Sequence, residues 1–302
     1  MDNLSQRFAG VFTALVTPFR SDAVDWEAFD ALVNRQITAG VAGLVPVGTT
    51  GEAATLSDDE ADQLIARTVK LADGRALVMA GAGGNDTRKT VDKIQRAEKA
   101  GADAVLVVTP YYNRPTQSGL VAHYTAAAQA TSLPVMLYSV PGRCGIEIAP
   151  DTCAALMERC ANIVAIKEAG GSATRVTQLR AACGEKLIIH SGDDALTLPF
   201  LSLGACGVTS VVANVAPTPM VAMVAAWQQG EVAQALAYHE MIAELVDGMF
   251  VESNPGPVKA ALALANLASP ELRLPLVTVS DANRQRLAGI LSRFGSASSS
   301  LR

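Results

Sequence analysis

A chain of 302 residues that is half hydrophobic, 18% charged and carries a formal net charge of -5 has ample core and no basic field, which argues against nucleic acid or anionic membrane as a partner. No run reaches the ~18 apolar residues of a membrane span, and the start MDNLSQRFAG has neither a basic-then-apolar leader nor an Arg/Ser-rich amphipathic pattern, so the expected location is the cytoplasm. Five cysteines without a C-x-x-C pair, and the isolated histidines His123, His190 and His239, argue against zinc and against a disulfide framework.

The first apolar run, VFTALVTPF (Val11 to Phe19), predicts a strand. Asp25 then stands as a candidate N-cap before Phe29, Leu32, Val33 and Ile37, which recur at helical steps, and Gly40 stands where a C-cap would. GLVPVG (Gly43 to Gly48) predicts a second strand, and SDDE at Ser57 to Glu60 is a capping-box pattern opening the next helix. Further strands are expected in ALVMAGAG (Ala76 to Gly83), AVLVVTP (Ala104 to Pro110), PVMLYSVP (Pro134 to Pro141), IVAIKEA (Ile163 to Ala169), KLIIHSGD (Lys186 to Asp193) and GVTSVVAN (Gly207 to Asn214). Their starts lie about 20 to 35 residues apart, the length of a βα unit. Eight such units favour a closed (β/α)8 TIM barrel over an open sheet, since closure leaves no edge, and no G-x-G-x-x-G follows the first strand. From about Pro217 the chain becomes alanine-rich and helical with a Gln-Gly break, then shows helical stretches near Pro257 to Leu267 and Asp281 to Phe294 before a frayed tail, GSASSSLR. The expected division is a barrel core over 1–220 and, over 221–302, the last barrel helix with a C-terminal helical region.

In a barrel of this kind the chemistry gathers where the strands end. Lys167 closes the apolar run of the sixth strand. Desolvation disfavours an ammonium, which makes a lysine nucleophilic towards a carbonyl; an ion pair with Glu168 or another carboxylate, or a snorkelling lysine, explains the position equally well. Tyr112 and Tyr138 follow the fourth strand and end the fifth, as proton relays or as ordinary rim residues. Thr49 and Thr50, in the glycine-flanked GTTGE, suit a ligand carboxylate or a plain tight turn. Arg143 suits a bidentate carboxylate or a surface salt bridge. Asp193 and Asp194 have no companion at a ligand spacing, so no metal is expected.

GTTGE, TPYYNRPTQ, YSVPGR, IVAIKEA, SGDD and NPGPVKAAL, in this order between Val11 and about Leu276, resemble the dihydrodipicolinate synthase branch of the N-acetylneuraminate lyase superfamily. The resemblance implies a (β/α)8 barrel with a helical C-terminal region, a homotetramer built as a dimer of dimers, and class I Schiff-base chemistry on pyruvate without metal or organic cofactor. It implies that Lys167 is the Schiff-base lysine and that Thr49, Tyr138 and Tyr112 relay protons, Tyr112 reaching into a neighbouring subunit's site. Thr50 falls on the residue that helps hold the pyruvate carboxylate, Arg143 on the one that binds the carboxylate of the aldehyde, and Gly192 and the backbone of Thr209 on positions lining the pocket. The implied reaction joins pyruvate to L-aspartate-4-semialdehyde and gives 4-hydroxy-tetrahydrodipicolinate, a step of lysine and diaminopimelate biosynthesis.

Two departures adjoin Arg143: Ser139 replaces the usual asparagine and Cys144 a threonine or serine, and both bear on the choice of aldehyde. At the family's lysine-inhibitor site Asn85 and Tyr111 match, whereas Ala61 stands for a histidine and Lys89 for a glutamate. Lys89 would repel an ammonium, so weak or absent lysine feedback is expected. The alternative is another pyruvate-dependent lyase or dehydratase of the superfamily, acting on a sugar acid or hydroxy-oxo acid; a non-catalytic metabolite-binding barrel is a third reading, against which the buried amine beside a proton relay speaks.

Overall fold

Eight short parallel strands close on themselves in chain order: β1 (Gly10–Ala14), β2 (Gly43–Val45), β3 (Leu77–Gly81), β4 (Ala104–Val108), β5 (Val135–Ser139), β6 (Ile163–Glu168), β7 (Ile188–Ser191) and β8 (Gly207–Ser210), with β8 pairing back onto β1. The computed structural model describes residues 3–299. Crossover helices follow the strands: α1 (Trp26–Thr38), α2 (Asp58–Ala72), α3 (Thr87–Lys99), α4 (Gln117–Gln129), α5 (Pro150–Arg159), α6 (Thr174–Cys183), α7 (Thr197–Ser202) and α8 (Pro217–Gln228). The (β/α)8 barrel read from the sequence is therefore the observed architecture.

Local signals set the helix starts. Asp25 caps α1 by accepting from the amide of Ala28, and Ser57 and Glu60 form the reciprocal capping box of α2. The strands are shorter than the apolar runs that encode them. The second run leaves the sheet after Val45, because Val47 turns to a φ of 58° and starts the tight GTTGE turn. The first run also ends early, and its last residue, Phe19, enters a small hairpin (Phe19–Arg20 with Ala23–Val24) that the sequence reading did not separate from it.

Alternation along the strands creates two cores. Val78, Ala80, Val105, Val107, Leu137, Ile166 and Ile189 face the helices, whereas Met79, Leu106, Met136, Tyr138, Ala165 and Ile188 fill the barrel interior. The barrel floor is closed by Phe8, which packs on Phe12, and by His190, whose ring meets Phe12 edge-on. After α8 come three C-terminal helices, α9 (Val232–Gly248), α10 (Gly256–Leu264) and α11 (Asp281–Ser299). Because α11 runs through Ser299, most of the tail read as frayed is helical, and its last three residues lie outside the described residues.

Candidate active site

A cavity of about 750 Å³ opens at the C-terminal ends of the strands, lined among others by Thr49, Thr50, Tyr138, Arg143, Lys167 and Gly192. Thr49 and Thr50 come from the turn after β2, Tyr138 from β5 and Arg143 from just beyond it, Lys167 from β6 and Gly192 from just beyond β7. Sheet register sets Tyr138 beside Lys167 and Lys167 beside His190, so all three side chains point into the barrel. The Lys167 ammonium lies 4.2 Å from the centre of the Tyr138 ring, and the residue is 6% exposed.

The ion-pair reading of Lys167 does not survive. Glu168, one residue on, points the opposite way into the outer core, where its carboxylate meets Arg175 at 3.2 Å and accepts from the amide of Gly170 at 2.7 Å. Burial raises the Glu168 pKa from its ordinary value, and Arg175 opposes that rise. Among the described residues the Lys167 ammonium makes neither a salt bridge nor a hydrogen bond, and its one charge contact is the Tyr138 ring. Gly192 gives it room: a Cβ there would stand 2.7 Å from Ala169 Cβ and 3.1 Å from Lys167 Cε.

Below Lys167, His190 is fully buried, with Nε2 donating to the carbonyl of Phe8 at 2.5 Å and Nδ1 left to accept from the Thr209 hydroxyl at 3.1 Å. Burial pushes its pKa down to about 4, so it is a neutral floor group. The Thr209 hydroxyl is thereby committed beneath the site, and Val211, two residues on, lines the cavity. Asp194 is equally committed to structure. It is buried and accepts from the Ser210 hydroxyl and from the amides of Val211 and Val212, while Asp193 accepts from the amide of Ala195.

Around the mouth, Arg143 comes from a one-turn helix, Pro141–Cys144, and donates to the carbonyl of Asn254 at 3.2 Å. The Asn254 side-chain amide in turn donates to the Thr50 hydroxyl at 2.9 Å. Asn254 lies in NPGPVKAAL but is a site residue that the sequence reading did not single out. The same motif supplies Lys259. Its ammonium, 1% exposed, pairs with Glu52 of GTTGE, lies 4.1 Å from the centre of the Phe19 ring and donates to the carbonyl of Glu271 at 2.8 Å. Glu52 also accepts from the amide of Arg273 at 3.0 Å, so the C-terminal region pins the threonine turn from beneath.

Ser139, fully buried, accepts weakly from the amide of Ile148 at 3.4 Å, away from the cavity. Cys144 does line it, as a thiol that burial pushes up to about 11 and that donates to the carbonyl of Thr109 at 3.1 Å. Tyr112 is 90% exposed at a φ of 73° and does not line the cavity of its own chain, whereas Tyr111 does. Of the remaining predicted positions, Ala61 is half-buried on α2, Lys89 is exposed on α3, and the Asn85 carbonyl accepts from the Asn113 amide at 2.8 Å.

Residues 7–294 match the dihydrodipicolinate synthetase family. A 4-hydroxy-tetrahydrodipicolinate synthase from Magnetococcus marinus is 47% identical over 280 residues, covering 93% of this chain and 96% of that one. The solved structure of the 4-hydroxy-tetrahydrodipicolinate synthase from the thermoacidophilic methanotroph Methylacidiphilum fumariolicum SolV superposes with a TM-score of 0.94 at 45% identity, over 96% of each chain. The chloride-inhibited dihydrodipicolinate synthase from Acinetobacter baumannii, complexed with pyruvate, does so with a TM-score of 0.92 at 42% identity, over 95% of this chain and 99% of that one. With a shared barrel and near-complete coverage in each case, this chain belongs to the dihydrodipicolinate synthetase family.

Proposed function

We propose that the cavity condenses pyruvate with L-aspartate-4-semialdehyde to give 4-hydroxy-tetrahydrodipicolinate, as the names of its relatives say of those enzymes. One observation carries this reading: Lys167 is buried at the cavity wall, on the ring of Tyr138, while the neighbouring carboxylate is held by Arg175. The structure of the Acinetobacter relative with pyruvate supports the first substrate.

In the proposed sequence the Lys167 amine adds to the pyruvate ketone, and the carbinolamine loses water to form an imine. Tyr138, with Thr49 and the partner subunit's Tyr112, carries the protons. Loss of a methyl proton gives an enamine whose terminal carbon attacks the aldehyde carbon, and the new alkoxide takes a proton to become the 4-hydroxyl. The amino group of the second substrate then attacks the imine carbon, forms the ring C–N bond and expels the lysine amine. One water leaves, when the imine forms, and the lysine is regenerated unchanged. Thr50 binds the pyruvate carboxylate and Arg143 the carboxylate of the aldehyde.

The exposed Tyr112 ring supports assembly into the tight dimer of a homotetramer, because it reaches nothing in its own cavity. Ala61 offers no ring to an inhibitor and Lys89 offers a like charge, so lysine feedback is weak or absent. Among the described residues no helix is long and apolar enough to cross a membrane.

The test is turnover of pyruvate with aspartate semialdehyde against a panel of sugar acids and hydroxy-oxo acids, alongside borohydride trapping. Condensation with the semialdehyde and a pyruvyl mass on Lys167 are the expected results. Preferential cleavage of a sugar acid would replace this reading with the other pyruvate-dependent lyases.

A further inference from the structure

Asn254 hydrogen-bonds both proposed carboxylate holders, through different atoms. Its backbone carbonyl accepts from Arg143 at 3.2 Å, and its side-chain Nδ2 donates to Thr50 Oγ1 at 2.9 Å. It is 6% exposed and lines the cavity. The residue sits just ahead of α10, where Lys259 pairs with Glu52, two residues past Thr50, so the two segments are tied together at a second point.

A hydroxyl has one proton and two lone pairs. Once the amide N–H occupies a lone pair of Thr50 Oγ1, the threonine cannot donate back to that group, and its proton must go to another acceptor. Thr50 itself lines the cavity, and an anionic oxygen is the strongest acceptor that would sit there. The arrangement therefore fixes which way the hydroxyl dipole faces before the ligand arrives, and spares the cost of turning it at binding.

We propose that Asn254 is a positioning residue that polarises Thr50, holding its hydroxyl as a donor towards the carboxylate of the first substrate. This inference rests on the reading of Thr50 and Lys167 given above and adds to it a residue and a direction of the hydrogen bond. The amide group is needed for its N–H. Aspartate is nearly isosteric but offers only acceptors at neutral pH, so it would draw the Thr50 proton to itself and put a negative charge beside the bound carboxylate.

That reversal gives a ranking which a purely structural asparagine would not show. A residue that merely fills space tolerates the isostere better than a truncation. Here Asn254→Asp is expected to raise the KM for pyruvate by roughly a hundredfold and Asn254→Ala by roughly tenfold, because the first opposes the carboxylate and the second only frees the rotor. The KM for the semialdehyde should move less than about threefold in Asn254→Ala, since Arg143 is held by the backbone carbonyl. Thr50→Val should make the alanine change at 254 nearly silent for pyruvate, as two changes acting on one hydrogen bond must.

The measurement is steady-state kinetics on the full-length wild type and variants, with thermal unfolding to confirm folding and borohydride trapping of pyruvate over a concentration series. An Asp variant as good as or better than the Ala variant, or equal losses for both substrates, overturns the proposal. Should neither variant at 254 fold, Thr50→Ser keeps the test: without the methyl that restricts its rotor, serine retains a pyruvate KM within about twofold of wild type only if Asn254 holds the hydroxyl. A loss as large as that of Thr50→Val then overturns it. Failure of wild type to trap pyruvate on Lys167 would instead overturn the reading on which this rests.

Discussion

Among the described residues two lysines are buried, and each lies over an aromatic ring at nearly the same distance: Lys167 4.2 Å from the centre of Tyr138, Lys259 4.1 Å from that of Phe19. The surroundings separate them. Lys259 has the Glu52 carboxylate and the Glu271 carbonyl; burial lowers its pKa from the ordinary lysine value and Glu52 opposes that fall. Lys167 has a cavity on one side and no carboxylate on the other, because strand alternation sends Glu168 outward to Arg175. A buried amine with a fixed counterion ties segments together, whereas one facing open volume is free to form a new bond. Burial alone does not distinguish structure from chemistry.

Exchanging the two losses is the strongest way to break this comparison. Lys167→Ala should lower turnover by roughly 10⁴-fold or more and abolish the borohydride-trapped adduct, while leaving the melting temperature unchanged or raised. A trapped adduct persisting in that variant would remove Lys167 from the chemistry. Tyr138→Phe keeps the ring under the ammonium and deletes only the hydroxyl, so kcat should fall about 10² to 10³-fold with the protein fully folded. Wild-type turnover would show that the ring, and not the phenol, is what the site uses.

The opposite pattern is expected at the other lysine. Lys259→Met leaves Glu52 buried and unpaired and should cost about 3–5 kcal/mol of stability in denaturant unfolding, part of which Glu52→Gln in the same chain restores. Beneath Lys167, His190 gives a pH signature. Its folded pKa of about 4 lies below the ordinary 6.5, so the unfolded chain takes up the proton first. Stability from this group is complete above about pH 6.5 and is lost as pH falls towards 4, by about 3 kcal/mol in total. In His190→Asn that fall should flatten, as read from unfolding at a series of pH values. The smallest effect concerns feedback: lysine up to about 1 mM should leave turnover within twofold, and clear inhibition below that would show that Ala61 and Lys89 do not disable the inhibitor site.

The barrel was legible because its period is redundant. Eight apolar runs at the spacing of βα units leave few alternatives, and caps such as Ser57 with Glu60 mark the joints. Lys167 was legible as a strand-end residue, but the choice between nucleophile and ion pair needed the facing of Glu168, which one slip of register would have reversed. Asn254 was not legible from the residues alone. Its partners Thr50 and Arg143 lie 204 and 111 residues away, and no local pattern encodes a contact at that separation. The partner of the Thr209 hydroxyl was illegible for a related reason: it is a histidine on the neighbouring strand, brought there by the sheet pairing.

The floor of the barrel has a further consequence. Phe8, Phe12 and His190 pack across the interior beneath Lys167, while the cavity, with Arg143 in its lining, lies at the strand ends. A ligand bound beside the lysine therefore shares its space with the arginine, and the opposite end of the barrel is given over to packing alone.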